Sequence, residues 1–490
     1  MNYRIIFNTL GKVALVLSAL LILPLIISAS LGDGCWWAFG ITILASAALG
    51  FTLMFALKPK NSVFFSKEGV IIVALAWIYV SAIGALPFVI SGEIPFYIDA
   101  LFETTSGFST TGATILTGEQ IENMSISLLF WRSFTHWIGG MGVIVLVMAV
   151  MTGTAERGMH ILRAEMPGPT VDKIVPRARG TAKILYLIYI GMTIVEIIAL
   201  IISGMPVFDS IVHAFGTAGT GGFGIRADSI ASYSNASQWV ITVFMLLFGV
   251  NFNLYYLLIL RRFRSAFGSR ELWIYCGVVV VFSTAVAINV TNQLPFTQGA
   301  NDGIRHAIFQ VVSFVTTTGY STIPSTSSLN NLPLLSKGLL FVLLFIGGCA
   351  GSTAGGLKIS RVALLGCAIK KELRRILHPR NANAVKFEGK TVTDEQLHGV
   401  TSYFALYILL IALLFVILSF DNAAGLSIEA NLSLSASCVN NVGPAFGVAV
   451  NGCHMYSWVS KLAMTFAMMF GRLEIYPLLL TLSPLTWIKK

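Results

Sequence analysis

Residues 102–116 read FETTSGFSTTGATIL, and the stretch is neither a membrane span nor an ordinary loop. Its first half is semi-apolar but too short to cross a bilayer, which takes about 20 residues. Its second half turns to small side chains, threonine and glycine above all. Polar residues follow, and then an apolar run long enough to span. The arrangement recurs as HAFGTAGTGGFGI (213–225), FQVVSFVTTTGYSTI (309–323) and SASCVNNVGPAFG (435–447). Aligned on the glycine at the turn, the copies bring Gly112, Gly222, Gly319 and Gly443 into register, 110, 97 and 124 residues apart. Asp99 and Asp209 each fall thirteen positions before the aligned glycine and support that register, although TGGFG offers Gly221 as a near-equal choice. Repeats in the same orientation point to an axis along the membrane normal.

Working outward, apolar runs of spanning length lie near 13–31, 36–57, 69–91, 126–151, 184–204, 239–260, 271–291, 338–369, 400–420 and 457–482. The expectation is an all-α polytopic membrane protein with ten transmembrane helices. Four tandem span–pore-helix–span repeats would surround a pore in pseudo-fourfold arrangement, after two extra N-terminal spans. The units are 1–68 for the N-terminal pair, 69–155 for the first repeat, and 156–262 for the second with its preceding cytoplasmic loop. The third repeat takes 263–375 and contains an interrupted stretch at 345–357; the fourth takes 376–490, again with a preceding cytoplasmic loop.

Composition agrees. Of 490 residues 56% are hydrophobic and 11% charged, with a mean hydropathy of +0.80. A soluble protein carries roughly a quarter charged residues, so a cytosolic enzyme, a disordered chain and a secreted disulfide scaffold are excluded. The first thirty residues resemble a signal peptide but lack a small-x-small cleavage site, and their apolar run is long enough to be a retained helix. Six cysteines without CxxC spacing and seven histidines without HExxH suggest no metal centre. One set of connections carries 26 Lys and Arg, whereas the opposite set holds Arg226 and Arg305 alone. That bias makes the termini and the basic loops cytoplasmic. The net charge of +10 is therefore topological, and no loop is long enough to fold as a basic nucleic-acid-binding domain.

Non-helical backbone inside a membrane is tolerated only where protein or a water-filled cavity satisfies it. Four such turns around one axis would set rings of carbonyl oxygens facing each other, able to replace the hydration shell of a monovalent cation. A hard divalent ion would call for carboxylates, and the turns carry none. A second irregular element lies within 338–369, where five of the ten residues Gly347–Gly356 are glycine. Each costs close to 1 kcal/mol against alanine in a helix, so the helix should break in mid-membrane, on the cytoplasmic side of the turns. Close helix packing is the competing explanation. The third is Arg472, about 15 residues and roughly 23 Å into the last span. It is either a fixed charge near the pore or an arginine that snorkels or pairs with Glu474.

Weaker candidates complete the inventory. His136, His213 and His306 are expected to be hydrogen-bonded structural residues. Arg132, Lys337 and Lys461, near span ends, are expected to snorkel. Asp99, Glu103, Glu119 and Glu122 leave the first outer loop acidic, which would concentrate cations at a mouth.

TTGAT, TGGFG, TTTGYS and NNVGP resemble the four selectivity-filter loops of the Trk/Ktr/HKT superfamily of potassium transporters, most nearly its TrkH/TrkG branch. FIGGCAGSTAGGLKISR (345–361), AEMPGPTVDKIVPR, HWIGGMGV (136–143) and FGRLEIYP (470–477) resemble further landmarks of that branch. The resemblance covers nearly the whole chain, and the extra N-terminal pair matches TrkH-like members. It implies K⁺-binding backbone carbonyls at Thr110, Thr111 and Gly112, at Thr220, Gly221 and Gly222, at Thr317, Thr318 and Gly319, and at Asn441, Val442 and Gly443. A glycine at the key turn of all four repeats goes with K⁺ preference in the family. The fourth loop departs from the Thr-Thr-Gly pattern and carries Pro444, so the fourfold is expected to be approximate. The resemblance also implies an intramembrane gating loop comprising Gly347, Gly348, Gly351, Ser352, Thr353, Gly355 and Gly356, with Arg472 acting on it.

The function expected is therefore K⁺ uptake across the bacterial inner membrane through a channel-like pore, with no cofactor bound by the chain itself. Coupled symport of K⁺ with H⁺ or Na⁺ is the alternative. It should show membrane-embedded carboxylates, and the spans offer only Glu196 and Glu474. A membrane-embedded enzyme would need a paired acid/base or metal cluster at one face, and no Walker P-loop is present. The resemblance adds partners: a second copy in a homodimer, and a cytosolic, nucleotide-binding regulatory subunit of TrkA type.

Overall fold

The longest uninterrupted apolar runs become the longest helices. The structure, a computed structural model, describes residues 1–58, 66–142, 178–290, 300–324, 329–378, 386–388, 390–421 and 425–487. Among these, six helices are long and apolar enough to cross a membrane: Tyr3–Leu31, Trp36–Ala56, Lys67–Ser91, Ala182–Ile202, Arg270–Val290 and Asp394–Leu418. They fall on the runs expected from the sequence to be the N-terminal pair and the first span of each repeat. Their outward faces stay apolar and exposed, as lipid contact requires; in Asp394–Leu418 only 22% of the spanning window is buried. Strand pairing among the described residues amounts to Lys386–Phe387 against Lys390–Thr391.

The second apolar run of each expected repeat is broken, in the third where its glycines predict a break and in the other three where hydropathy predicts an unbroken run. In the first, the helix Ile126–Gly140 stops ahead of Gly142, which sits at φ 82. In the second, Asn235–Phe248 and Phe252–Ile259 meet at 89° around Gly249–Asn251, and the Asn251 side chain caps the second piece. In the third, Leu334–Leu343 and Ile359–Leu377 flank the glycine-rich stretch. In the fourth, Trp458–Arg472 is separated from Tyr476–Leu482 by Glu474 and Ile475 at φ 56 and 67. Hydropathy averages over such breaks because the residues on either side are equally apolar. Most of the loop 155–183 and the motif AEMPGPTVDKIVPR lie outside the described residues.

Among the described residues three apolar clusters hold the bundle. One draws mainly on 1–140 and 403–478, a second on 200–359 with part of 436–446, and a small third joins Met141 to Tyr186, Tyr189, Phe248 and Phe252. The N-terminal pair packs through glycine, since a Cβ on Gly50 would come within 2.9 Å of the Gly11 carbonyl oxygen. It is tied to the first repeat by Ser46, whose hydroxyl bonds the Ala14 carbonyl and the Tyr79 hydroxyl at 3.0 and 2.9 Å. Asp33, in the turn between the pair, accepts the Ser127 backbone N–H at 3.0 Å. Burial raises the Asp33 pKa, but hydrogen bonds from Ser127, Ser28 and Cys35 outweigh it and hold the carboxyl below its ordinary value.

Gly50→Leu should destabilise the solubilised protein by about 1–3 kcal/mol, the usual cost of overpacking a close contact. Gly40→Leu is the control, because its Cβ would meet only the Leu25 Cδ1 at 4.0 Å. Equal unfolding midpoints for the two variants would refute the close packing of the pair.

Candidate functional site

The four half-helices are Tyr97–Phe108, Val207–Gly219, Ala300–Val315 and Ile428–Asn440. Each is followed by the same backbone turn. Thr110, Thr220, Thr317 and Asn441 take left-handed φ values of 57, 55, 54 and 54. One residue later the chain reverts, and then Gly112, Gly222, Gly319 and Gly443 go left-handed again at 79, 77, 84 and 97. Gly222 rather than Gly221 is thus the equivalent of the other three. The middle residue of each turn donates its N–H back to the carbonyl five residues earlier. These bonds are Thr111 to Ser106 at 2.9 Å, Gly221 to Gly216 at 2.8 Å, Thr318 to Ser313 at 2.9 Å and Val442 to Ser437 at 3.1 Å.

The turns close on one another in chain order. A Cβ on Gly112 would collide with the Gly221 carbonyl oxygen, and one on Gly222 with that of Thr318. A Cβ on Gly319 would collide with that of Val442, and one on Gly443 with that of Thr111. Each glycine therefore lies against the middle carbonyl of the next turn, and the fourth returns to the first. Glycine is required twice over, for its φ and for this approach. The three threonines are the less expected feature. A β-branched residue with positive φ is strained and persists only where its surroundings hold it, which is characteristic of functional sites. Asn441 takes the same conformation at less cost, since asparagine tolerates the left-handed region. The departure of the fourth loop from Thr-Thr-Gly therefore leaves the backbone path unchanged. Asn441 also donates its side-chain amide to the Thr111 hydroxyl and the Met468 carbonyl, both at 2.9 Å.

The glycine-rich stretch packs directly beneath. Its neck is closed by Gly347 N–H to Leu357 O at 3.0 Å and Ile359 N–H to Gly348 O at 3.1 Å. Gly351 and Gly356 use left-handed φ; Gly347 and Gly355 are needed for closeness, since Cβ atoms there would strike the Gly355 and Asn440 carbonyls. The Gly355 N–H donates to the Thr317 hydroxyl at 2.6 Å, joining the stretch to the third turn. Cys349 N–H reaches the Gly249 carbonyl at 3.0 Å and Phe252 N–H the Gly351 carbonyl at 3.0 Å. The Thr353 hydroxyl donates to Phe248 O at 3.2 Å, whereas the Ser352 hydroxyl stays within the stretch on Cys349 O. Glu271, at the start of the third repeat, accepts from Ala350 and Ser360 N–H at 2.7 and 3.2 Å.

Arg472 completes the group. Its guanidinium donates to Thr353 O at 2.9 Å, and to the Gly139 and Gly140 carbonyls at 2.5 and 2.7 Å. It joins the stretch to the broken end of the first repeat's second span. The pairing of Arg472 with Glu474 does not occur, because Glu474 is taken by Arg361, whose guanidinium also stacks on Tyr403 at 4.2 Å.

Several charged side chains lie elsewhere than expected. Arg132 does not snorkel: it is 3% exposed and pairs with Glu103 at 2.6 Å. Lys461 is likewise buried and pairs with Asp99 at 2.8 Å, whereas Lys337 is partly exposed near Glu429 at 3.8 Å. A charge in the body of a span is cheaper paired inside than carried to a distant headgroup. The first outer loop is correspondingly less acidic than its sequence, with Glu119 and Glu122 exposed but Asp99 and Glu103 engaged inside. His136 lies 2.8 Å from Gly107 O through Nδ1 and accepts the Phe223 N–H through Nε2 at 3.3 Å. His213 and His306 bond Asp209 O and the Thr322 hydroxyl at 2.7 and 2.8 Å, so all three are structural partners. No group of three or more His, Cys, Asp or Glu side chains suited to a metal occurs among the described residues.

Comparison with known proteins places this geometry. The family model of TrkH, a cation transport protein, matches residues 37–486. The chain is 35% identical to the Trk system potassium uptake protein TrkH of Escherichia coli K12, over 99% of its own length and 100% of that protein. It is 34% identical to the TrkH of Salmonella typhimurium LT2 with the same coverage. Its fold superposes on the crystal structure of the potassium transporter TrkH from Vibrio parahaemolyticus with a TM-score of 0.89 and 29% identity, covering 100% of both chains.

Thr317→Val preserves shape but removes the acceptor of the Gly355 N–H. Leaving that buried donor unpaired should cost about 1–3 kcal/mol, read as a lower unfolding midpoint together with faster alkylation of the buried Cys349 followed by mass spectrometry. Unchanged midpoint and labelling would show that this bond does not hold the stretch.

Proposed function

The chain belongs to the TrkH family of cation transport proteins, and from that premise we propose that it takes up K⁺ across the cytoplasmic membrane through a channel-like pore. The family is one of transporters, not enzymes. The reading extends to a pseudo-fourfold arrangement of span–pore-helix–span repeats, ten spans in all, with both termini in the cytoplasm. The carbonyl oxygens of the four turns take the place of the ion's hydration shell. Influx is driven by the membrane potential, worth about 2.3 kcal/mol per charge per 100 mV. The observation that carries this reading is the cyclic closure of the turns, each glycine against the next turn's carbonyl.

The glycine-rich stretch 345–357 acts as the gate on the cytoplasmic side of the filter. Its bond to Thr317 and the hold of Arg472 on Thr353 support that role. A loop free of side-chain bulk can seal against a ring of turns yet move without repacking a core. The working assembly is a homodimer with a cytosolic, nucleotide-binding regulatory subunit of TrkA type docked on the basic face. Symport with H⁺ or Na⁺ is the second reading. Glu196 favours it: its carboxylate is wholly buried in the Ala182–Ile202 span, beside the Thr217 side chain.

Purified protein in liposomes tests the filter. Gly112→Ser puts a Cβ where the Gly221 carbonyl lies. It should lower the K⁺/Na⁺ permeability ratio about tenfold, a shift of about 1.4 kcal/mol; a wild-type ratio would sink the assignment. Shortening the glycine-rich stretch tests the gate. Basal K⁺ flux without a regulatory subunit should rise several-fold, and flux equal to wild type would favour simple helix packing.

A further inference from the structure

Discrimination by backbone oxygens depends on how firmly their spacing is held, so the contacts behind the turns matter as much as the turns. The segments leaving adjacent turns are linked at all four junctions, each in a different way. From the second to the third, Ile230 N–H donates to Ser321 O at 3.0 Å. From the third to the fourth, Asn330 exchanges two bonds with Gly447 at 2.9 and 2.8 Å. From the fourth to the first, Cys453 N–H donates to Thr114 O at 2.7 Å. These three links are neutral.

The link from the first to the second carries full charges. Glu103, on the first half-helix, accepts the Ile115 N–H at 3.1 Å and the Thr114 hydroxyl at 2.9 and 3.0 Å, which fixes the chain leaving Gly112. The same carboxylate takes Arg132 Nε at 2.6 Å. Arg132 then donates through its terminal nitrogen to Gly224 O at 2.8 Å and lays its guanidinium 3.6 Å over the Phe223 ring, which fixes the chain leaving Gly222. One rigid plane is thereby located by its edge and by its face. Lysine offers a point charge on a flexible stem and cannot reproduce that geometry.

Resting on the reading of the turns as a K⁺ filter, we propose that Arg132 and Glu103 are positioning residues that set the spacing of the first two turns and with it the preference for K⁺ over Na⁺. Neither touches the ion. Their effect passes through Thr114–Ile115 on one side and Phe223–Gly224 on the other. A role confined to folding would be indifferent to the planarity of the cation once the charge is kept.

The full-length protein in liposomes, with K⁺ and Na⁺ permeability measured on the same preparation, provides the test. Arg132→Lys keeps the charge and loses the fork and the stack; the K⁺/Na⁺ ratio should fall several-fold, independently of any loss in total flux. Phe223→Leu keeps the ion pair and removes the ring face under Arg132, together with that ring's contact with His136; a smaller fall in the same direction is expected, and this variant decides the matter if Arg132→Lys does not reach the membrane. A wild-type ratio in either variant, whatever its flux or yield, overturns the positioning role. Wild-type liposomes that pass no K⁺ would instead overturn the filter reading on which it rests.

Discussion

Every peptide group inside a bilayer must find a partner within the protein, because lipid offers none. This constraint governs the molecule most visibly where the chain gives up helical geometry. Four half-helices end in turns whose N–H groups fold back onto their own last carbonyls, leaving the outer carbonyls turned towards the neighbouring turn. Helix-completing donors are thus satisfied locally while acceptors remain available. A backbone that spends its donors inward and keeps its acceptors in reserve is suited to a cation.

The same economy operates one layer below. Each second span breaks, and each break releases carbonyls that an intact helix would have used: Gly139 and Gly140 in the first repeat, Phe248 and Gly249 in the second. The glycine-rich stretch and Arg472 supply the missing donors. Removing one element therefore orphans groups on others, and the stretch is held by four separate parts of the chain. Its hold on the third turn passes through one threonine hydroxyl that sits on a strained residue, so turn and stretch share a single side chain.

The four turns, their glycines and the six long apolar helices were legible in the sequence because they depend on period, length and apolarity. So was the irregular stretch, whose glycine density no helix would accommodate. The breaks in the other second spans were not legible. Gly249 lies in an apolar run no different in hydropathy from an unbroken one, and Glu474–Ile475 bend without any glycine. The left-handed threonines were hidden as well, since nothing local favours φ > 0 in a β-branched residue; the ring imposes it. Arg132 and Lys461 were misplaced because residue number gives depth along a helix but not the face it presents. Their partners, Glu103 and Asp99, lie 29 and 362 residues away. An acidic half-helix opposite cationic spans was the available signal, and charge complementarity between repeats would have found it.

The ring also has an order in time. Asn441 bonds Thr111 across 330 residues, one of the contacts by which the fourth turn closes on the first. At roughly 5–20 residues per second, synthesis puts the fourth turn some tens of seconds behind the first. Until then the first and third turns each lack one of the two neighbours they have in the closed ring. The nascent protein therefore passes through an open arc, and the ribosome must reach the final repeat before the ring can close. Such a chain cannot mature domain by domain. Its centre is the last part to close, and the last repeat closes it.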